Sequence, residues 1–281
     1  MGAAVTIDAH HHVWDLSVRD QGWIPERSPL RRDFTLADLA PEATAADVTG
    51  TVLVQTVTVP EETPELLALA DAHDLVAAVV GWTDLTRPDI ADELARLRRL
   101  PGGAHLQGIR HQVQGEPDPQ WLLRPDVRRG LTALADADLV YDLVVRPHQL
   151  PACAEAARSI PQLTFVLDHL GKPPIASGAL EPWATDLRAL AARPNTFCKL
   201  SGLVTEADPA TWTVADLRPY AETALAAFGP DRVMFGSDWP VCTEAATYAQ
   251  VLEVSRDLTD GLGAAERAAV HEGTARRVYH L

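Results

Sequence analysis

A single-domain α/β fold of the (β/α)8 TIM-barrel kind is what this sequence predicts, and three observations carry that expectation. The chain has 281 residues, close to the ~250 typical of an eight-stranded α/β barrel. Short runs rich in Val, Ile and Leu alternate with Ala-, Leu- and Arg-rich stretches of helical spacing, the pattern of successive βα units around a parallel sheet. Eight such runs occur, and no Ser-, Gly- or Pro-rich linker, low-complexity tract or fixed repeat divides residues 1–281.

Taken in order, the expected strands are 5–10, 51–57, 75–82, 107–111, 139–145, 163–168, 196–201 and 232–237. The stretches 63–73, 89–100, 124–137, 149–159, 182–192 and 215–228 carry apolar residues at three- and four-residue steps and predict outer helices. Residues 14–33 read as a long, proline-containing first βα loop, of the sort that serves a barrel's active site. Residues 264–279 predict a terminal helix closing the barrel.

Composition bounds the rest. A hydrophobic fraction of 47% is ordinary for a globular chain and buries a core without covalent staples. The three cysteines, Cys153, Cys198 and Cys242, are odd in number and lack C-x-x-C spacing, which predicts free buried thiols in a reducing compartment. No basic start leads into an apolar stretch at the N-terminus, and nowhere do ~18 apolar residues run together, so a cytoplasmic protein is expected. A net charge of −15 repels nucleic acid and anionic membranes, leaving a small-molecule substrate as the expected partner and a homo-oligomer open.

Catalytic groups of such barrels come from the C-terminal ends of the strands, so the polar residues where each apolar run stops are the candidates. Strand 1 ends in Asp8-Ala9-His10-His11-His12, and alternation sends His10 and His12 to one face and His11 to the other. Strand 6 delivers Asp168-His169, and strand 8 delivers Asp238. Three imidazoles, His10, His12 and His169, with one carboxylate, Asp238, make a ligand set apt for one divalent metal ion, Zn²⁺ first and Mn²⁺ second.

These residues carry a resemblance that covers nearly the whole chain. Ile7-Asp8-Ala9-His10-His11-His12-Val13-Trp14-Asp15, Gly108-Ile109-Arg110-His111, Asp168-His169-Leu170-Gly171-Lys172-Pro173, Lys199-Leu200-Ser201-Gly202-Leu203 and Phe235-Gly236-Ser237-Asp238-Trp239-Pro240 resemble the amidohydrolase superfamily. The branch is the amidohydrolase-related one that includes L-fucono- and L-rhamnonolactone hydrolases. The resemblance implies that His10, His12, His169 and Asp238 line a metal site, although the branch also includes lactonases thought to work without a metal. Arg110-His111 stands where a bridging acidic ligand would sit, which disfavours a two-metal centre.

Strand 4 ends in Arg110-His111 and strand 5 in Arg146-Pro147-His148, giving candidates for substrate contact. His111 and His148 are expected to donate hydrogen bonds to substrate, and Arg110 or Arg146 to hold an oxygen by its planar fork. Trp14, Trp82 and Trp239 are candidate flat faces for a sugar ring. Lys199, inside an apolar run, predicts a lysine that is either ion-paired or site-facing. The expected reaction opens a cyclic ester, most simply a sugar aldonolactone, with Asp238, His169 and His111 as catalytic groups and Asp238 as general base. The competing reading is a metal-dependent, non-oxidative decarboxylase of an aromatic or muconate-like acid; a non-catalytic binding protein is the third.

Overall fold

The computed structural model describes residues 5–281. Eight parallel strands, β1 (Thr6–His11), β2 (Val48–Val54), β3 (Val76–Gly81), β4 (Leu106–His111), β5 (Val140–Leu143), β6 (Phe165–Leu167), β7 (Thr196–Leu200) and β8 (Val233–Phe235), pair in chain order into one sheet. Each neighbouring pair from β1·β2 to β7·β8 forms a parallel ladder. The last seam, β8 to β1, closes just beyond the ladders: Asp238 N donates to His10 O at 2.8 Å and His12 N donates to Trp239 O at 2.7 Å. Gly236 permits that approach, because a Cβ there would stand 2.7 Å from His10 Cβ.

Helices surround the sheet: α1 (Leu36–Ala45), α2 (Glu62–Ala72), α3 (Ile90–Arg98), α4 (Pro125–Asp136), α5 (Leu150–Ser159), α6 (Trp183–Ala191), the single turn α7 (Leu203–Glu206), α8 (Val214–Phe228), α9 (Tyr248–Leu258), α10 (Ala264–Ala268) and α11 (Thr274–Val278). Their starts follow local chemistry. Asp38 accepts from Thr35 N at 2.8 Å before α1 and Asp216 accepts from Thr213 N at 2.8 Å before α8, which occupies donors at each helix entry. The expected terminal helix is α10 and α11 joined by a π-helical segment, Ala269–Gly273.

Alternation along the strands divides the apolar residues into two bodies. Ile7, Ala9, Val52, Val54, Val80, Val166 and Met234 fill the barrel interior together with Tyr279, which α11 carries in from the chain end. A larger cluster, with Trp121, Leu143, Phe165, Trp183 and Phe235 among its members, lies between strands and helices. The three cysteines are buried and free. No helix among the described residues is long and apolar enough to cross a membrane.

All eight strands and six outer helices lie where the sequence placed them to within a few residues. The main strand difference is β2, which begins at Val48 and leaves the sheet after Val54. The apolar run there continues past the ladder, and Gln55 and Thr56 turn into the site instead. Three helices escaped the periodicity: α1, which contains Pro41, the single turn α7, and α9.

Candidate active site

The site is built where β1, β6 and β8 end. His10 and His12 share a face of β1 and bring their Nε2 atoms to 3.1 Å of each other. His11 points the other way and meets Thr51 Oγ1 at 2.9 Å. Past β6 the chain takes a left-handed turn through His169, φ 54°, and past β8 another through Asp238, φ 58°. Those turns bring His169 Nε2 to 3.8 Å, His10 Nε2 to 3.7 Å and His12 Nε2 to 3.6 Å from Asp238 Oδ1. All four side chains are buried.

The outer nitrogens of the rings are held by the protein. His12 Nδ1 lies 2.7 Å from Val54 O, a pure acceptor, so the ring proton sits on Nδ1 and the Nε2 lone pair faces the centre. His10 Nε2 lies 3.3 Å from Arg110 Nη1, and its Nδ1 lies 3.1 Å from Lys199 Nζ and 3.3 Å from Asp168 Oδ1. His169 Nδ1 meets Ser201 Oγ at 2.9 Å. Gly202, at φ +66°, lets that ring sit where it does, since a Cβ would come within 2.6 Å of His169 Nδ1.

Charge states suit ligation. Burial pushes the His10 imidazolium well below its usual range against the opposing pull of Asp168, and burial lowers His169 to about 4 despite Asp238 nearby. Both rings are therefore neutral near pH 7. Burial works to raise the Asp238 carboxyl, but His169, His12 and His10 together outweigh it, and the group lies below the ordinary carboxylate range.

Bonds of ~2.0–2.1 Å to a tetrahedral ion place neighbouring donor atoms about 3.4 Å apart. The separations of 3.1 to 3.8 Å found here bracket that value. Three imidazoles with one carboxylate fit a single divalent metal ion, and His10, His12 and Asp238 form one of two close donor clusters among the described residues. The other, His10, Asp168 and His169, shares His10 with it, but Asp168 also faces Arg110 Nη1 at 2.9 Å and Lys199 Nζ at 3.0 Å. Those cations commit Asp168 to orienting its neighbours.

A cavity of about 120 Å³ opens over the cluster, lined by His12, Thr56, Arg110, Gln112, Gln114, His169, Lys172 and Asp238, with Trp23, Val144 and Val241 as its apolar parts. A larger cavity of about 490 Å³ lies beside it between the first loop, α1 and α2, mostly among apolar side chains such as Trp14, Phe34 and Leu66. Volume does not make the larger one the site, because none of the four convergent donors lines it.

Of the two arginines, Arg110 faces inward. Its Nε donates to Gln55 Oε1 at 2.9 Å, Nη2 to Gln55 O at 2.5 Å and Nη1 to Asp168 Oδ2 at 2.9 Å. It is a fixed positive charge in the cavity wall rather than a free fork. Arg146 and His148 are exposed beyond β5 and are not among the residues lining this cavity. His111 is also outside the lining: Trp82 Nε1 donates to its Nδ1 at 3.0 Å, its Nε2 meets Glu116 Oε1 at 2.7 Å, and its ring stacks on Trp121. Both nitrogens are engaged, so His111 anchors the loop after β4.

Trp14 lines the larger cavity and donates to Arg32 O at 2.7 Å, while Trp239 packs on Phe34 and supplies the seam carbonyl. The aromatic wall of the small cavity is Trp23, which the sequence did not single out. Lys199 is fully buried and ion-paired, 2.5 Å from Asp142 Oδ2 and 3.0 Å from Asp168 Oδ1. Gln55, Gln112, Gln114, Asp142 and Ser201 were missed as well. Gln55 and Asp142 did leave a signal: Gln55 follows directly on Val52-Leu53-Val54, and Asp142 is the lone charged residue of 139–145.

Comparison with known proteins agrees with this construction. A family profile described as Amidohydrolase matches residues 7–281. An L-fucono-1,5-lactonase of Burkholderia multivorans is 42% identical over 293 residues, covering 99% of this chain and 97% of its own. The L-fucono-1,5-lactonase of Burkholderia ambifaria is 39% identical over 280 residues, with 98% and 95% covered. A crystal structure of an amidohydrolase from Burkholderia multivorans with bound zinc superposes with a TM-score of 0.93 at 40% identity, covering 99% of this chain and 100% of that one. A match over nearly the full length, on a barrel that gathers its histidines and aspartate at the strand ends, establishes that this chain belongs to the amidohydrolase family.

Proposed function

We propose that the protein is a lactonase that opens the cyclic ester of a sugar acid, an aldonolactone of the L-fucono-1,5-lactone kind, by attack of water. The observation that carries this reading is the convergence of three imidazole Nε2 atoms on Asp238 Oδ1 at the floor of a small cavity walled by hydrogen-bonding side chains. The lactonases named above, alike over nearly their whole length, support the choice of a sugar lactone among hydrolysable bonds.

Asp238, ionised near neutral pH, takes a proton from the attacking water and returns it to the alkoxide that leaves when the ring opens. Arg110, held rigid by Gln55 and Asp168, presents fixed positive charge to oxygen that becomes negative as the tetrahedral centre forms. Trp23 covers part of the cavity with an apolar face. His10, His12, His169 and Asp238 would hold one divalent ion, which supplies Lewis-acid polarisation and a more acidic water when bound. Zinc is the assignment, supported by the nitrogen-rich ligand set and by the zinc-bound relative.

The test is metal content by plasma mass spectrometry on freshly purified protein, with lactone hydrolysis followed by a pH indicator before and after chelation. Near-stoichiometric zinc whose removal abolishes turnover is expected. Undiminished activity in metal-free protein would reassign the four residues to direct acid–base roles, and no lactone opening in either state would overturn the reading in favour of decarboxylation.

A further inference from the structure

The wall of the small cavity contains a side chain whose hydrogen-bonding capacity the protein leaves unused. Gln114 lies on the turn Val113–Gly115 just past β4, and its backbone N donates to Val144 O at 3.0 Å. Three further bonds fix that turn. Gln149 Nε2 donates to Val113 O at 2.8 Å, Gln112 Nε2 donates to Thr56 O, and His111, stacked on Trp121, meets Glu116 at 2.7 Å. The backbone is thus held rigidly while Gln114 Oε1, shielded from solvent, accepts no hydrogen bond.

The other polar groups lining the cavity are committed. Arg110 donates to Gln55 and Asp168, Thr56 Oγ1 donates to the buried Glu62, Gln112 is tied to Thr56, and Lys172 pairs with Glu206 at 3.3 Å. His12, His169 and Asp238 belong to the convergent cluster. A buried acceptor left unpaired costs about 1–3 kcal/mol, a cost that disappears when a ligand hydroxyl donates to it. A hydroxyl both donates and accepts, so it satisfies the amide whichever way the amide is turned.

We propose that Gln114 is a specificity-determining residue that bonds a ring hydroxyl of the substrate, so that the enzyme distinguishes a polyhydroxylated lactone from a bare one. The proposal rests on the lactonase reading and adds to it the residue that reads the sugar. Arg110 and Asp238 serve the ester that every lactone shares; Gln114 serves what only a sugar lactone carries.

The experiment compares kcat/KM for L-fucono-1,5-lactone and unsubstituted δ-valerolactone in wild-type protein and in Gln114→Met, which keeps the length of the side chain and removes its amide. Taking the ratio of the two substrates cancels general damage to the fold. The sugar-to-bare ratio is expected to fall about 10- to 100-fold in the variant, the scale for a site that loses a hydroxyl partner. A ratio within about twofold of wild type would overturn the assignment. If Gln114→Met is unstable in a thermal melt, Gln114→Asn, which withdraws the amide by one methylene, carries the same comparison.

Failure of the lactonase reading shows separately, as wild-type protein that opens neither lactone. Titration calorimetry with L-fucono-1,5-lactone then decides Gln114. Binding about tenfold weaker in the variant supports it, and equal binding, or none to either protein, overturns it.

Discussion

Asp238 has two demands on it, to stay ionised among buried side chains and to face three imidazoles at once. Its left-handed backbone and the bond from its own N–H to His10 O meet the second, and the three rings meet the first. Asp238→Asn keeps the shape and removes the base, so kcat is expected to drop about 10²–10⁴-fold while lactone affinity by calorimetry changes little. His271 makes a prediction away from the chemistry. Burial lowers it from 6.5 to about 4, and Thr259 Oγ1 lies 3.2 Å from its Nε2. A histidine depressed in the folded state contributes fully above about pH 6.5 and loses that contribution as pH falls toward 4. The shift is worth about 3 kcal/mol at 1.36 kcal/mol per unit, so urea melts of His271→Gln should show a shallower loss of stability over that window than wild type; an unchanged slope would clear His271 of the effect. Single residues were also where the sequence misled. Polar residues at the ends of strands 1, 4, 6 and 8 were identified, but not whether each faced the cavity, and Gln55 and Ser201, just past β2 and β7, were missed. Arg110 and His111 are adjacent, and alternation sends one into the site and the other against Trp121.

At the scale of elements, strand order was legible because each βα unit writes its own periodicity, whereas strand ends were not, because an apolar run does not record where its hydrogen bonds stop. The run after β2 shows this: Gln55 and Thr56 continue it in sequence, yet Gln55 leaves the ladder to hold Arg110. The partnership between Gln55, Arg110 and Asp168 joins β2, β4 and β6 across the barrel, and no local pattern announces such a contact. Turns carry similar weight. Gly202, between β7 and α7, is at φ +66° with no room for a Cβ beside His169. Gly202→Ala is expected to cost about 1–2 kcal/mol in backbone strain and to weaken metal retention about 10- to 100-fold through the displaced ring. Chemical denaturation and a competitive chelator titration measure the two effects separately, and tight retention in the variant would show that the ring does not need the glycine.

Across the whole molecule, a buried chain of charges runs from the end of the sequence to the site. Tyr279 Oη donates to Asp142 at 2.9 Å, Asp142 pairs with Lys199, Lys199 with Asp168, and Asp168 faces both His10 and Arg110. Burial raises Asp142 to about 6, against the opposing pull of Lys199. Lys199→Met leaves Asp142 without its cation and is expected to destabilise the fold by about 3–5 kcal/mol in urea denaturation. Adding Asp142→Asn should restore part of that loss, and a double variant no more stable than Lys199→Met would show that the pair is not the source. The sequence flagged Lys199 as paired or site-facing, and it is paired; the partners come from β5 and β6, far away in the chain.

The seam between β8 and β1 also bears on how the protein is made. The two bonds that shut the barrel run between the backbones of His10 and Asp238 and of His12 and Trp239, so the donor cluster does not exist until the first strand meets the last. During synthesis His10 and His12 leave the ribosome well before Asp238, which joins them only once β8 has been made. A product that stops short of β8 therefore lacks Asp238 and has no complete cluster.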